Sequence, residues 1–143
     1  MDVRFTTEFD TSATPEQVVR ALVDFSDNRP KIWKGLTRSD YQVHSLGESS
    51  ADVTEGTVKF WAREEYDWSH PGRVTWTCRD SKFLHPGTVM EVVATPRGSG
   101  SHVVYNFHRR FRGIRGAFVY PGIKLGGKSY FTKYFKSTFD NLA

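Results

Sequence analysis

The chain has 143 residues, of which 38% are hydrophobic, 15% aromatic and 25% charged, and its formal net charge is +4. This length and balance predict one domain over residues 1–143 and exclude a disordered tail, a collagen-like chain and a low-complexity chain. The single cysteine, Cys78, excludes an intramolecular disulfide and a metal site built from several cysteines.

No stretch approaches the roughly 18 uninterrupted apolar residues of a membrane span, so none is expected. The first residues lack the basic and apolar regions of a signal peptide, which predicts a cytoplasmic protein. The modest positive charge permits an anionic partner without requiring one, and nucleic acid is not the expected partner.

The chain is predicted to begin with a strand and two helices. Residues 3–9 alternate between apolar and polar side chains, as a half-buried strand does. Thr14, Pro15 and Gln17 form a capping box with a proline at the first helical position. This helix is predicted to end near Ser26, and a second, short helix is predicted over residues 27–34, with Trp33 turned inward.

Six strands are predicted between residues 41 and 112. Alternating side chains and turn residues place them near residues 41–45, 51–54, 58–68, 74–78, 88–95 and 101–112. Tyr41, Val43 and Ser45 share a face of the first of these strands. Glu55-Gly56 is predicted to be a break, after which one long strand follows. One face of that strand carries Val58, Phe60, Ala62, Glu64, Tyr66 and Trp68.

Two hairpins have a register that the sequence itself predicts. A two-residue turn at Gly98-Ser99 brings apolar residues together across the strands. Its pairs are Ala94 with Val103, Val92 with Tyr105, Met90 with Phe107 and Thr88 with Arg109. A three-residue loop over residues 70–72 gives the second set. Those pairs are Trp68 with Val74, Tyr66 with Trp76 and Glu64 with Cys78.

The C-terminal segment is predicted to be helical from about residue 127 to 142, with Phe131, Tyr134 and Phe135 at helical spacing. Pro121, Gly122, Gly126 and Gly127 predict a broken or irregular stretch before it. A helix of about 16 residues is only about 24 Å long. We expect it to leave part of the sheet face uncovered, for curvature or a ligand to fill.

The order of elements resembles the START/Bet v 1-like superfamily, also called SRPBCC or polyketide cyclase/dehydrase and lipid-transport proteins. The resemblance covers the whole chain, and its most specific part is the segment over residues 12–25 followed by Pro30-Lys31-Ile32-Trp33. It implies an α+β helix-grip fold, in which a curved seven-stranded antiparallel sheet surrounds a long C-terminal helix, with two short helices after the first strand. It also implies a hydrophobic cavity between the sheet and the helix.

The residues predicted to line this cavity are large amphipathic rings, one methionine and two charges. Each ring taken alone is better explained as core packing than as a ligand contact. Glu64 and Arg109 fall in one row with Cys78 and Thr88, and buried charges are rare unless they are paired. They either reach solvent at the rim or anchor a polar group of a ligand. The predicted ligand-binding residues are Glu64, Tyr66, Trp76, Met90, Tyr105, Phe107, Arg109, Tyr130 and Tyr134.

The other motifs give less information about function. Residues 122–129 match the phosphate-loop pattern G-x-x-x-x-G-K-S, but antiparallel hairpins precede it and the chain ends too soon after it for a parallel sheet. A weaker use of Lys128 and a helix start toward an anion stays open. The basic run over residues 109–115 is explained by a solvated sheet edge, and Cys78 is expected to be inert. No metal ligand set is found, and neither a metal nor a cofactor is expected.

Three functions remain. The first is binding or transport of a hydrophobic small molecule without bond-making chemistry, which we favour. The second, brought in by the resemblance, is a polyketide aromatase/cyclase in which Glu64, or Arg109 with a tyrosine hydroxyl, promotes aldol closure and dehydration. The third is a START-like protein that acts through a partner such as a ribosome or a toxin system. Arg109→Leu is expected to weaken ligand binding more than it weakens folding.

Overall fold

A computed structural model describes residues 1–36 and 41–142. Its strands form a seven-stranded antiparallel sheet in the order β1-β7-β6-β5-β4-β3-β2. The strands are β1 (Asp2–Thr11), β2 (Gln42–Leu46), β3 (Ser50–Gly56), β4 (Trp61–Asp67), β5 (Arg73–Ser81), β6 (Val89–Arg97) and β7 (Gly100–Arg110). The helices are α1 (Pro15–Leu22), α2 (Arg29–Ile32) and α3 (Gly113–Asp140). This is the helix-grip architecture that the sequence predicts.

The start of α1 has the predicted capping box. The Gln17 amide N–H donates to the Thr14 hydroxyl over 3.2 Å, and the Thr14 N–H donates to the Gln17 side chain over 2.8 Å. The helix ends at Leu22, before the predicted end near Ser26. The reason is local, because the Asp24 carboxylate accepts the Ser26 N–H over 3.0 Å and thereby competes with a further helical turn.

The hairpin registers are confirmed where the strands pair. Val92 faces Tyr105 and Ala94 faces Val103 in the β6–β7 ladder. Tyr66 faces Trp76 and Glu64 faces Cys78 in the β4–β5 ladder. The β6–β7 ladder starts at the pair of Glu91 and Asn106, and the β4–β5 ladder ends at the pair of Asp67 and Thr75. The predicted pairs of Met90 with Phe107, Thr88 with Arg109 and Trp68 with Val74 therefore lie outside the ladders.

The predicted boundary between the third and fourth strands is wrong. β3 continues through Glu55 and Gly56, and β4 starts only at Trp61. Gly56 has φ +121°, and a side chain there would collide with the Phe60 carbonyl, so the chain turns tightly after it. Val58 is on this turn and 68% exposed, so it is not part of the inner face. At the sheet edge, β2 is exposed along its whole length.

The predicted break before the C-terminal helix is also wrong. α3 is one helix of 28 residues, about 42 Å long, with Pro121 inside it. Two of the glycines, Gly116 and Gly127, serve close packing instead. A Cβ on Gly127 would lie 3.1 Å from the Ile123 Cγ2 atom, and a Cβ on Gly116 would lie 2.9 Å from the Phe83 carbonyl oxygen. Lys128 is in the helix interior, so the weaker anion-binding use of a helix start there is excluded.

The C-terminal half of α3 closes the core. Phe135 and Phe139 pack edge-on against Trp33, with ring centroids 5.5 and 5.7 Å away. The Trp33 indole N–H donates to the Ala21 carbonyl over 2.9 Å, which ties α1 to the segment after α2. In the part of the chain that is described, no helix has the length and apolar character needed to cross a membrane.

Candidate functional site

A cavity of about 480 Å³ lies between the sheet, α2 and α3. This volume is in the range of small-molecule sites in proteins. Its walls are mainly aromatic and aliphatic, and two ion pairs interrupt them. Besides the predicted residues named next, the lining includes Leu22, Arg29, Trp33, Leu36, Glu55, Gly56, Phe60, Ala62, Phe83, Leu84, Phe111, Val119, Ile123, Phe131 and Phe135.

All of the predicted ligand-binding residues except Tyr130 line the cavity. They are Glu64, Tyr66, Trp76, Met90, Tyr105, Phe107, Arg109 and Tyr134. Tyr130 is 60% exposed and lies in an outer groove beside α2. The prediction grouped Tyr130 with Tyr134 because they are four residues apart, but only Tyr134 turns toward the interior.

Glu64 on β4 and Arg109 on β7 form a buried ion pair in the cavity wall. The Arg109 Nη1 donates to the Glu64 Oε2 over 3.3 Å, and the Arg109 Nη2 donates to the other carboxylate oxygen. The Glu64 side chain is 3% exposed and the Arg109 side chain is 11% exposed. The row predicted from the hairpin registers thus brings the two charges together across the concave face, and neither reaches solvent freely at the rim.

A second buried ion pair, between Arg29 on α2 and Glu55 on β3, lines the same cavity. The Arg29 Nε donates to the Glu55 Oε2 over 2.8 Å, and the Arg29 Nη2 donates to the Tyr66 hydroxyl over 3.1 Å. The Tyr66 hydroxyl in turn donates to Glu55. Arg29 also lies over the Phe25 ring, 4.5 Å from its centroid. These bonds hold the guanidinium in one orientation.

The pattern of the sequence did not predict this second pair. For Glu55 a signal existed, because Ala51, Val53 and Glu55 alternate, and the first two are buried on the inner face. The wrong break at Glu55-Gly56 removed that residue from the strand. For Arg29 no comparable signal exists, since it precedes Pro30 in a helix of four residues.

The two cavity carboxylates have opposite pKa shifts. Burial raises the pKa of Glu64 above its ordinary value, and the attraction of Arg109 opposes this only in part. Burial acts on Glu55 as well, but the charge and hydrogen bonds of Arg29 and the Tyr66 hydroxyl lower its pKa. Of the two carboxyl groups, Glu64 is therefore the one that takes up a proton more readily than Glu55 does.

The sheet side of the cavity is a row of stacked rings. Tyr66 on β4 faces Trp76 on β5, and Trp76 stacks on Tyr105 of β7 across β6, with centroid separations of 5.5 and 6.2 Å and interplanar angles of 16°. Such faces favour flat, apolar or aromatic molecules. Among the half-buried lining residues are Leu36, Gly56, Phe60, Val119 and Ile123, and we infer that the cavity opens to the surface beside them. We refer to this region as the mouth.

The family profile described as polyketide cyclase / dehydrase and lipid transport matches residues 2–143. The chain belongs to this family. A search of curated protein sequences found no match.

Solved structures place this member of the polyketide cyclase/dehydrase and lipid transport family within the START superfamily fold. The Zhui aromatase/cyclase from Streptomyces sp. R1128 has a TM-score of 0.74 at 8% identity, over 100% of this chain and 97% of that one. A START superfamily protein from Mycobacterium smegmatis has a TM-score of 0.70 at 12% identity, over 99% of both chains. Truncated norcoclaurine synthase from Thalictrum flavum has a TM-score of 0.66 at 9% identity, over 95% of this chain and 92% of that one.

The thiol and the imidazoles that could have had a chemical role in this family member have structural roles instead. Burial raises the pKa of the Cys78 thiol to about 11, so it stays protonated at neutral pH. His102 bonds Glu8 and Asp10, and His108 bonds Asp2, on the outer face of the sheet. Within residues 1–36 and 41–142, no group of three or more His, Cys, Asp or Glu is arranged to hold a metal ion.

The basic run after β7 is not a continuous exposed patch. Arg109 turns into the cavity, and the Arg112 Nη2 donates to the Ser81 carbonyl over 2.7 Å. Arg110 is exposed, with its Nε 3.9 Å from the Asp2 carboxylate. Arg109, Arg110 and Arg112 are therefore directed to three different places and do not form one surface for a nucleic-acid or protein partner.

Proposed function

We propose that this protein binds a hydrophobic small molecule of lipid, polyketide or aromatic type in the cavity between the sheet and α3. The observation that carries the proposal is the cavity of about 480 Å³, with walls that are aromatic and aliphatic apart from two buried ion pairs. A void of this size forgoes packing contacts that a folded chain otherwise makes. An apolar ligand would restore those contacts.

Because two ion pairs line the cavity, an amphipathic ligand fits it better than a pure hydrocarbon does. Glu64 and Arg109 have donors and acceptors on the cavity wall, and Arg29 with Glu55 form a second polar point in the same lining. Hydroxyl, carbonyl or carboxylate groups at two separated positions of the ligand would fit both. The stacked rings between them favour a flat body.

Native mass spectrometry of freshly purified protein tests this proposal. We expect an added mass that is released on denaturation and that carries an apolar body with oxygen functions. Ala62 lines the cavity, so Ala62→Phe, or Ala62→Leu as a smaller addition, fills it and is expected to remove the added mass. Leu46→Phe, at an exposed β2 position, is the control that retains it. An added mass unchanged in a folded Ala62→Phe variant would contradict the proposal.

A second candidate is an aromatase/cyclase, and the raised pKa of Glu64 favours it. A carboxyl that gives and takes a proton in a water-poor site is suited to aldol closure followed by loss of water. Arg109 would hold the developing oxyanion. Incubation with a short synthetic poly-β-ketone is expected to give aromatic absorbance and a mass reduced by water, both lost in Glu64→Gln. If the ketone is bound but unchanged, binding alone is the function.

The partner-binding alternative has no comparable support, since the basic run is divided as described. The cytoplasmic location stays a prediction from the sequence. The oligomeric state follows from neither the fold nor the cavity.

A further inference from the structure

The N-terminal half of α3 exposes large apolar side chains on the face turned away from the cavity. Ile114, Phe118 and Leu125 are 91%, 80% and 89% exposed. Their spacings of four and seven residues place them on one side of a helix, and Pro121 is exposed between them. We term these four residues the outer stripe. Exposed apolar residues are ordinary when single, whereas a row of them marks an interaction surface.

The outer stripe is continuous with the mouth of the cavity. Phe118 stacks on Phe60 with ring centroids 6.5 Å apart, and Phe60 lines the cavity. Phe60 contacts Phe83 on its other side, with centroids 5.4 Å apart. Val58, on the same turn as Phe60, is 68% exposed. One apolar surface therefore extends from the helix across the rim of the opening.

The charges along α3 before Asp140 have one sign. Between Arg112 and Phe139 the chain carries six basic side chains and no acidic one. Arg115, Lys124 and Lys128 are exposed and flank the outer stripe on the helix. Lys59 is exposed next to Val58 on the turn. An apolar row with basic flanks is the pattern of a helix that lies in the interface of an anionic membrane.

We propose that the outer stripe and the turn over residues 57–60 dock on an anionic phospholipid bilayer, so that the mouth faces the headgroups. Ile114, Phe118 and Leu125 enter the boundary between headgroups and acyl chains, while Arg115, Lys124 and Lys128 contact phosphates. The charges also decide against a second copy of the chain as the occupant. A symmetric contact through the outer stripe would bring these cations against their own counterparts.

This docking goes beyond ligand binding and does not depend on it. A protein whose cavity held no ligand would still carry the outer stripe and its cations. Exchange of a ligand between the bilayer and the cavity would need membrane docking and ligand binding together. Only this exchange rests on the proposed function. The two proposals can therefore fail separately.

Sedimentation with extruded vesicles tests the docking on the full chain. We expect binding to vesicles of equal parts phosphatidylcholine and phosphatidylglycerol, and much weaker binding to phosphatidylcholine alone. Salt at about 1 M shortens the screening length to about 3 Å and is expected to weaken the binding to anionic vesicles. Leu125→Glu is expected to reduce binding at least about tenfold, because burying a leucine side chain is worth at least that factor.

Matched variants distinguish binding through the outer stripe from non-specific binding of the protein to vesicles. Leu46→Glu makes the same substitution at a 59% exposed leucine on β2 and is expected to bind vesicles like the unmodified protein. Lys124→Gln with Lys128→Gln is expected to weaken binding to anionic vesicles. Arg20→Gln with Lys31→Gln changes the net charge equally at exposed positions on α1 and α2 and is expected to leave it nearly unchanged.

Three results would overturn the proposal. They are equal binding to neutral and anionic vesicles, equal binding by Leu125→Glu and Leu46→Glu, and a dimer in sedimentation velocity that Leu125→Glu converts to a monomer. The last would show that a second copy covers the outer stripe. An added mass in native mass spectrometry that persists in Leu125→Glu is expected, since that residue does not line the cavity.

Discussion

At the residue scale, the pair of Glu64 and Arg109 is one of two buried ion pairs in the cavity wall. Two charges taken out of water are tolerated because each satisfies the other, and removal of one leaves the other unpaired. The sequence analysis expected Arg109→Leu to affect binding more than folding. The structure changes that expectation, because this variant leaves the Glu64 carboxylate buried and alone.

We therefore predict that Arg109→Leu lowers the free energy of unfolding by about 3–5 kcal/mol near neutral pH. Glu64→Gln with Arg109→Leu is predicted to be more stable than Arg109→Leu alone, because no charge is left unpaired. Urea unfolding of the two single variants and the double variant measures this. If the losses of Glu64→Gln and Arg109→Leu add up to the loss of the double variant, the pair is not coupled.

The pH dependence of Arg109→Leu follows from the direction of the Glu64 shift. Burial raises the pKa of Glu64 above its ordinary value of 4.5, and loss of Arg109 raises it further. A group whose pKa is raised on folding favours the folded state in its protonated form. The variant is therefore most stable, relative to the parent, below about pH 4.5, and it loses stability as the pH rises through the folded-state pKa. A deficit that is constant from pH 4 to 8 would contradict this.

Single residues also show where sequence reasoning reaches its limit. Glu64 and Arg109 were found because each interrupts an apolar face of a strand, and the hairpin registers then placed them in one row. Arg29 could not be found in this way, because its partner Glu55 is on a strand separated from it by residues 37–40 and by β2. A contact made only by tertiary packing has no local periodicity to reveal it.

At the element scale, α3 is the largest difference between expectation and structure. Pro121 and five glycines lower the intrinsic helix propensity of the segment over residues 113–127, and the prediction followed propensity. The helix forms because its inner face packs. Val119 and Ile123 contact the cavity, and Gly116 and Gly127 allow close approach to the chain beneath.

Two glycine substitutions on α3 test this account in opposite directions. Gly126 is exposed in the helix with open space where a Cβ would be, so Gly126→Ala is predicted to stabilise the protein by about 0.5–1 kcal/mol. Gly116→Ala places its Cβ 2.9 Å from the Phe83 carbonyl oxygen, and it is predicted to destabilise the protein. Thermal unfolding of both variants measures the effects. A neutral or destabilising Gly126→Ala would mean that residue 126 is not helical.

At the scale of the whole molecule, the fold class was accessible because the chain's patterns agree with one another. The capping box of α1, the alternation in the strands and the two hairpin registers all indicated an antiparallel sheet with a covering helix. The cavity was accessible only as an expectation, since its volume depends on sheet curvature and on the length of α3. No local pattern in the sequence predicts the sheet curvature or the length of α3.

Because α3 is longer than expected, the cavity cannot be explained by a helix too short to cover the sheet. A helix of about 16 residues was expected to leave part of the sheet uncovered. The observed helix has 28 residues, and its N-terminal half contributes Val119 and Ile123 to the cavity lining. The same half carries the outer stripe on its other side. One element therefore forms the cavity wall on one face and the proposed membrane contact on the opposite face.

Titration with an anionic aromatic fluorophore, 1-anilinonaphthalene-8-sulfonate, tests the central claim most directly. Trp33 and Trp76 line the cavity, so energy transfer from tryptophan reports a probe bound inside. We predict saturable binding of about one probe per chain, an affinity at least about tenfold lower in Ala62→Phe, and an unchanged affinity in Leu125→Glu. Energy transfer that never saturates, or that is the same in a folded Ala62→Phe variant, would contradict a ligand-binding cavity between the sheet and α3.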